Sequence, residues 1–98
     1  MVKHIVMWKL MDEAEGHTKD ENAKIIKQNI EGLVGKIEGI EKIEVGLNYN
    51  PNGFDVCLYS EFKNRDALQN YINHPLHKKN QAYTLSVVND RAVADFEI

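Results

Sequence analysis

A four-residue turn near the middle of the chain constrains the fold more than any other sequence feature. Residues 50–53 read Asn-Pro-Asn-Gly, in which proline presets one backbone angle and Asn-Gly tolerates the left-handed conformation. Polar and apolar residues alternate on both sides of this turn, over residues 40–49 and 54–62. Alternation with a period of two is typical of a half-buried strand. The centre of the chain is therefore predicted to be a β-hairpin.

Helical patterns flank this hairpin. Thr18 and Glu21 have the spacing of a capping box, apolar residues three or four apart follow, and Gly39 is expected to end the helix. After the hairpin, a second helical segment begins near residue 64 and is interrupted at Pro75. Proline disfavours the helical conformation of the residue before it but suits the start of a new helix. We therefore predict one helix before the hairpin and a split helical segment after it.

Strand-like sequence occupies both ends of the chain. Residues 2–10 are rich in branched and aromatic side chains, and residues 91–98 alternate between apolar and polar. The order is β-α-β-β-α-α-β, which is the ferredoxin-like βαββαβ pattern when the split helix counts once. We expect an α+β fold in which the helices cover one face of an antiparallel sheet, with residues 1–98 forming a single domain.

The second face of that sheet is predicted to be too apolar to stay in contact with water. Ile5, Met7, Cys57, Tyr59 and Val93 are all expected to lie on it. An exposed apolar patch of this kind on a monomer marks an association site. The sequence therefore predicts a homodimer in which two such sheets pack face to face.

Composition narrows the classes of function. The net charge is −3 and no basic cluster occurs, so a nucleic acid partner is not expected. No apolar run approaches the ~20 residues that span a bilayer, and no signal peptide is recognisable. Cys57 is the only cysteine, which excludes an intramolecular disulfide. We expect a cytoplasmic protein with no membrane partner.

Three residues have the chemistry for acid–base work. His4 shares a strand face with Trp8 and is predicted to point under the helices. Tyr71 and His77 flank the proline break, where a chain reversal can aim both at one place. An imidazole exchanges a proton near neutral pH, and a tyrosine hydroxyl can donate to a carbonyl oxygen that gains charge. These residues therefore predict a pocket between the sheet and the helices.

Other interpretations of the histidines stay open. His4 and His77 could hydrogen-bond each other as a buried structural pair, and His74 is placed to cap a helix. Because His74 and His77 straddle the proline, they lack the common helical face of a zinc-binding pair, and no third ligand is near. No glycine-rich loop is suited to phosphate binding. We therefore expect no metal and no cofactor.

The same segments carry a family resemblance. VKHIV at residues 2–6, YINHPLH at 71–77 and DRAVADF at 90–96 resemble the stress-responsive A/B barrel (Dabb) family, over essentially the full chain. The His-Pro-x-His corner is the most specific part of the match. The resemblance implies a dimeric α+β barrel. It constrains function less, because family members include plant stress proteins and many proteins of unknown role.

One branch of that family, the plant polyketide cyclases that make olivetolic acid, implies roles for single residues. By motif match, its pocket histidines and tyrosine correspond to His4, Tyr71 and His77. Three functions follow as alternatives: binding of a small apolar or aromatic molecule by these residues and Trp8; cofactor-free acid–base catalysis of an aldol-type cyclisation or lyase reaction; or structural stress protection without a ligand. We expect ligand binding, and a pocket of roughly a few hundred Å³ would favour it over the structural role.

Overall fold

The computed structural model describes residues 1–98, and its four long strands form one antiparallel sheet. The elements are β1 (Val2–Leu10), β2 (Glu13–Ala14), β3 (His17–Thr18), α1 (Lys19–Glu31), β4 (Ile40–Leu47), β5 (Val56–Phe62), α2 (Arg65–Asn73), α3 (Pro75–Val87) and β6 (Val88–Glu97). The strand order is β4-β5-β1-β6, which confirms the predicted ferredoxin-like α+β fold. A short hairpin, β2–β3, precedes the first helix.

Helix α1 begins at the predicted capping box but ends earlier than predicted. The Thr18 hydroxyl accepts a hydrogen bond from the Glu21 N–H at 3.3 Å, and the Glu21 carboxylate accepts one from the Thr18 N–H at 2.9 Å. The helix ends at Glu31 rather than near Gly39. Glycines at 32 and 35 weaken a helix by about 1 kcal/mol each relative to alanine. Leu33 and Ile37 lie beyond the end of the helix but still join the core, so the apolar pattern of the sequence continues past Glu31.

The His-Pro corner joins α2 to α3 through local hydrogen bonds. The His74 ring accepts a hydrogen bond from the Leu76 N–H through Nδ1 at 3.1 Å, and Pro75 occupies the first position of α3. The predicted capping role of His74 is thereby confirmed. Because the cap and the proline fix the chain reversal, the end of α2 and the start of α3 are held beside each other.

The core lies between the helices and the face of the sheet that they cover. The alternate residues of β1 from Val2 to Leu10 are at most 6% exposed, and Phe62 on β5 is fully buried. Each buried apolar side chain of this size contributes about 1.5–3 kcal/mol relative to full exposure. His4 is one of these alternate residues, so the core that stabilises the fold also surrounds a histidine.

The uncovered side of the sheet, here called the open face, carries alternate residues of all four strands. Val93 does not lie there, contrary to the prediction, because it pairs directly with Val6 on the helix-covered side. Directly paired residues of antiparallel strands share a face, and a shift of one position moves a side chain to the other face. The open-face residues of the three strands β1, β5 and β6 are Lys3, Ile5, Met7, Cys57, Tyr59, Glu61, Ala92, Ala94 and Phe96.

No helix of this fold combines the length and the apolar character that crossing a membrane requires.

Candidate functional site

A cavity lies between the helices and the covered face of the sheet. Its volume is about 40 Å³ by the measure used for closed cavities, and about 460 Å³ when all space between the lining atoms, open solvent included, is counted. The smaller value corresponds to roughly three water-sized volumes. The cavity is therefore smaller than the few hundred Å³ that the sequence analysis set as favouring ligand binding over the structural role. The lining residues are His4, Val6, Trp8, Ile30, Leu33, Leu58, Tyr71, His77, Asn80, Gln81, Thr84, Leu85 and Arg91.

His4 is held by a carboxylate on the neighbouring strand. Strands β1 and β6 place His4 opposite Asp95, and the His4 ring donates from Nδ1 to the Asp95 carboxylate at 2.5 Å. The His4 side chain is 7% exposed and that of Asp95 is 45% exposed. Because Nδ1 carries the donated proton, Nε2 of the neutral ring is a hydrogen-bond acceptor and a potential base.

Tyr71 is the aromatic centre of the site. It is 1% exposed, and its ring centroid lies 5.1 Å from that of Phe62, 6.3 Å from that of His4 and 4.5 Å from that of His77. Burial raises the pKa of Tyr71 to about 12. The phenol is therefore neutral near neutral pH and can donate a hydrogen bond. Its hydroxyl has no hydrogen-bond partner within the chain.

His77 is oriented by the backbone at the end of α2. Its Nδ1–H donates to the Ile72 carbonyl at 3.0 Å. Burial lowers the pKa of His77, with smaller contributions in the same direction from His4 and Arg91, while the bond to Ile72 opposes the shift. The ring is consequently neutral near neutral pH. As in His4, the nitrogen left free to accept a proton is Nε2.

Three polar atoms of the acid–base residues have no partner within the chain: the Tyr71 hydroxyl oxygen and the Nε2 atoms of His4 and His77. No side-chain nitrogen or oxygen of this fold is both enclosed and without a hydrogen bond. Each of the three atoms therefore reaches accessible space, and the cavity is the space that their residues jointly line. The Trp8 indole N–H and the Arg91 guanidinium belong to the same lining and also lack a partner, so the cavity offers both donors and acceptors beside apolar side chains.

The structure brings together His4, Trp8, Tyr71 and His77, all four residues that the sequence analysis assigned to a pocket. It does not show the hydrogen-bonded pair of His4 and His77, because each ring bonds a different partner. No group of three or more His, Cys, Asp or Glu side chains is arranged to hold a metal ion. The functional role of the four residues stays a prediction.

Sequence reasoning missed Asp95 and Arg91. Both lie on the covered face of β6, opposite His4 and Trp8 respectively. Because side chains alternate between the two faces of a strand, Arg91 and Asp95, four positions apart, are expected on the same face. The pairing register with β1, which selects this face, is not encoded in β6 alone.

Comparisons with known proteins identify relatives of the whole chain. The family model for the stress responsive A/B barrel domain matches residues 2–98. A dimeric protein of unknown function with a ferredoxin-like fold, from Bacteroides fragilis, is 40% identical with a TM-score of 0.86, covering 99% of this chain and 95% of that chain. An uncharacterized protein of Streptomyces coelicolor is 31% identical over 81 residues, which cover 80% of each chain.

A hydroxynitrile lyase from Passiflora edulis has the same fold at lower identity. Its sequence is 16% identical, its TM-score is 0.79, and the match covers 99% of this chain and 92% of that chain. At that identity the likeness shows the fold alone. The family model, in contrast, spans nearly every residue and includes the three strands and three helices that contribute residues to the cavity walls. The chain belongs to the stress responsive A/B barrel domain family.

Proposed function

We propose that this protein binds a small, largely apolar molecule that carries a carbonyl or hydroxyl oxygen, in the cavity between the sheet and the helices. The observation that supports this most is the group of three polar atoms without partners, set among apolar walls. A ligand carbonyl would accept a hydrogen bond from the Tyr71 hydroxyl, and a ligand hydroxyl would donate to Nε2 of His4 or His77. A few convergent polar groups in an apolar concavity are typical of small-molecule sites.

The narrow interior limits the shape of such a ligand. About 40 Å³ admits a slender group, and the remainder of the molecule would extend past Leu85 and Arg91, the lining residues that are exposed. A ligand that is thin at one end fits this space better than a fused ring system. The apolar part of the ligand would contact Trp8 and Leu58, which line the same cavity.

Ligand binding is tested by NMR with a panel of slender methyl ketones and phenols. We expect ligands to shift the His4, Tyr71 and His77 resonances, and Tyr71→Phe to weaken binding roughly two- to tenfold through loss of one hydrogen bond. Tyr49→Phe is the matched control, because Tyr49 is 99% exposed. A panel in which no compound shifts any of these resonances would favour the structural stress-protection role instead.

A second candidate, cofactor-free acid–base catalysis, is favoured by the bond between Asp95 and His4. A carboxylate on Nδ1 stabilises the imidazolium that forms when Nε2 takes a proton. His4 or His77 could remove a proton from a carbon beside a carbonyl while Tyr71 donates to the oxygen that becomes an enolate. The enolate carbon could then attack a second carbonyl, as in an aldol-type cyclisation. A lyase from Passiflora edulis shares this fold, which supports testing lyase chemistry as well.

Catalysis and simple binding can be distinguished by how fast the ligand exchanges the hydrogens beside its carbonyl with solvent. In D₂O, a bound ketone should exchange the hydrogens beside its carbonyl faster with the protein than in buffer, and Asp95→Asn and His77→Gln should each slow the exchange. Arg65→Gln is a control outside the cavity, because Arg65 pairs with Glu97. Exchange at the buffer rate for every ligand that binds would leave binding as the whole function.

We also propose that the chain forms a homodimer through the open face. The 40% identical relative from Bacteroides fragilis is described as dimeric, and the centre of the open face is apolar around Ile5, Met7 and Cys57. Ala94→Arg places a charge opposite Ile5 and should give monomers in analytical ultracentrifugation, whereas Lys36→Glu, away from the sheet, should not. A wild-type protein that sediments as a monomer at micromolar concentration would contradict this proposal.

A further inference from the structure

We propose that the ligand of this cavity is an anion: a slender carboxylate whose negative end pairs with Arg91 at the cavity mouth while its other end enters the interior. This inference rests on the proposed ligand-binding function and adds the charge and the orientation of the ligand. It concerns a residue that the acid–base site described above does not use.

Arg91 is a cation without a partner at the edge of the cavity. It lies opposite Trp8 on β6, and it is exposed although it lines the cavity. Its backbone N–H donates to the Asp90 side chain at 2.8 Å, but its guanidinium makes no ion pair or hydrogen bond within the chain. The other arginine, Arg65, pairs with Glu97. The guanidinium at position 91 is therefore free to bind a group from outside the chain.

The charge of the cavity wall is positive although the chain is negative. The net charge of the chain is −3, yet no Asp or Glu residue lines the cavity, and Arg91 is the only lining residue with a permanent charge. Carboxylates are the natural partners of a guanidinium, because its planar fork matches their two oxygens. A lining of this kind favours an anionic ligand over a neutral or cationic one.

The charges along β6 also set the direction of the ligand. Arg91, Val93 and Asp95 lie in a row on the covered face, since each pairs with a covered residue of β1. Four residues of strand separate the two charged ones by about 13 Å. The Asp95 carboxylate is occupied by His4 and would repel a ligand carboxylate. A bound anion would therefore place its charge at the Arg91 end and its neutral, hydrogen-bonding end towards Tyr71.

The test compares oxo acids of formula CH₃CO(CH₂)ₙCOO⁻, with n increasing through the series, against the corresponding amides. Calorimetry on the wild-type protein should show about tenfold or greater preference for the best acid over its amide, the size expected of hydrogen bonds to a charged group. Arg91→Gln should remove this preference by weakening acid binding much more than amide binding. Arg91→Lys should keep part of it, because an ammonium supplies charge without the planar fork. Arg65→Gln is the matched control and should behave as wild type.

Each other outcome separates this inference from the proposed function. Equal binding of acids and amides, still weakened by Tyr71→Phe, would overturn the anion inference and leave the cavity as a ligand site. An acid preference that persists in Arg91→Gln would place the anion elsewhere and also overturn it. Binding of neither series would overturn both proposals. Rising salt concentration should weaken acid binding and leave amide binding unchanged.

Discussion

The helix-covered face and the open face of the same sheet hold their polar groups in different ways. On the covered face, Ser60 is fully buried and donates to the His4 carbonyl at 2.7 Å, and the His4 ring bonds Asp95. On the open face, Lys3 bonds both Glu61 at 2.7 Å and Tyr59 at 3.0 Å. On the covered face a hydroxyl bonds the backbone and a histidine bonds one carboxylate, whereas the open-face groups form a cluster around the Lys3–Glu61 ion pair.

The two faces consequently favour opposite charge states of their titratable groups. Burial is the largest cause for Tyr71, whose pKa rises, and for His77, whose pKa falls, so both groups are kept neutral. Hydrogen bonds between Lys3 and Glu61 lower the pKa of Glu61 and raise that of Lys3, so both groups are kept charged. Neutral Tyr71 and His77 side chains suit proton transfer and ligand binding, while a charged rim around an apolar centre suits the specific pairing of two copies.

The two faces should differ most in the free energy of unfolding that is lost when an aromatic ring is removed from each. Phe62→Ala on the covered face deletes a fully buried ring beside Tyr71 and should lower the free energy of unfolding by about 3–5 kcal/mol. Phe96→Ala on the open face, where the ring is 43% exposed, should cost much less. Urea denaturation measures both values. Equal losses at the two positions would mean that the dimer interface packs Phe96 as tightly as the core packs Phe62.

A smaller difference is expected between substitutions of two carboxylates, Asp95 on the covered face and Glu61 on the open face, in their effect on His4. Asp95→Asn removes the charged acceptor of the His4 Nδ1–H and should cost about 1 kcal/mol, because the half-exposed carboxylate is partly solvated. Nitrogen chemical shifts of His4 should report a mixture of ring tautomers in place of one. Glu61→Gln on the open face should leave His4 unchanged. A single His4 tautomer in Asp95→Asn would show that the carboxylate charge is not what selects the tautomer.

The smallest effect concerns the pH dependence of stability. His77 has a lowered pKa in the folded state, so below its ordinary value of 6.5 the unfolded chain takes the proton more readily than the folded chain. Stability should therefore fall as pH decreases from about 6.5 towards the folded pKa of His77, and His77→Gln should flatten this decline. Histidine NMR titration checks the midpoint directly. A His77 midpoint above 6.5 would contradict the burial argument.

Local signals made most of the fold predictable from the sequence. The capping box at Thr18, the turn at 50–53 and the corner at Pro75 each determine their structure through neighbouring residues, and all three form as predicted. The family resemblance then pointed to His4, Tyr71 and His77. That these three share one cavity depends on contacts between distant segments, which no local pattern encodes.

The last strand shows why the remainder could not be predicted. Ala92, Val93 and Ala94 are three successive small apolar residues, so β6 has no period-two contrast at its centre to distinguish one face from the other. Val93 was therefore assigned to the wrong face, and Asp95 and Arg91 were not recognised as parts of the site. The interior volume was equally unpredictable, because it depends on how the side chains pack rather than on which residues are present.

The pairing of β6 with β1 has a consequence for biosynthesis. His4 and Asp95 are 91 positions apart, yet they are directly bonded, so the cavity gains its last wall only when β6 docks. A ribosome-bound chain that lacks β6 carries an unpaired β1 edge beside an unfinished apolar groove, which is a template for aggregation. The proposed ligand binding would therefore wait until translation has passed β6. Any cellular factor that shields the nascent β1 edge would also control when the cavity is completed.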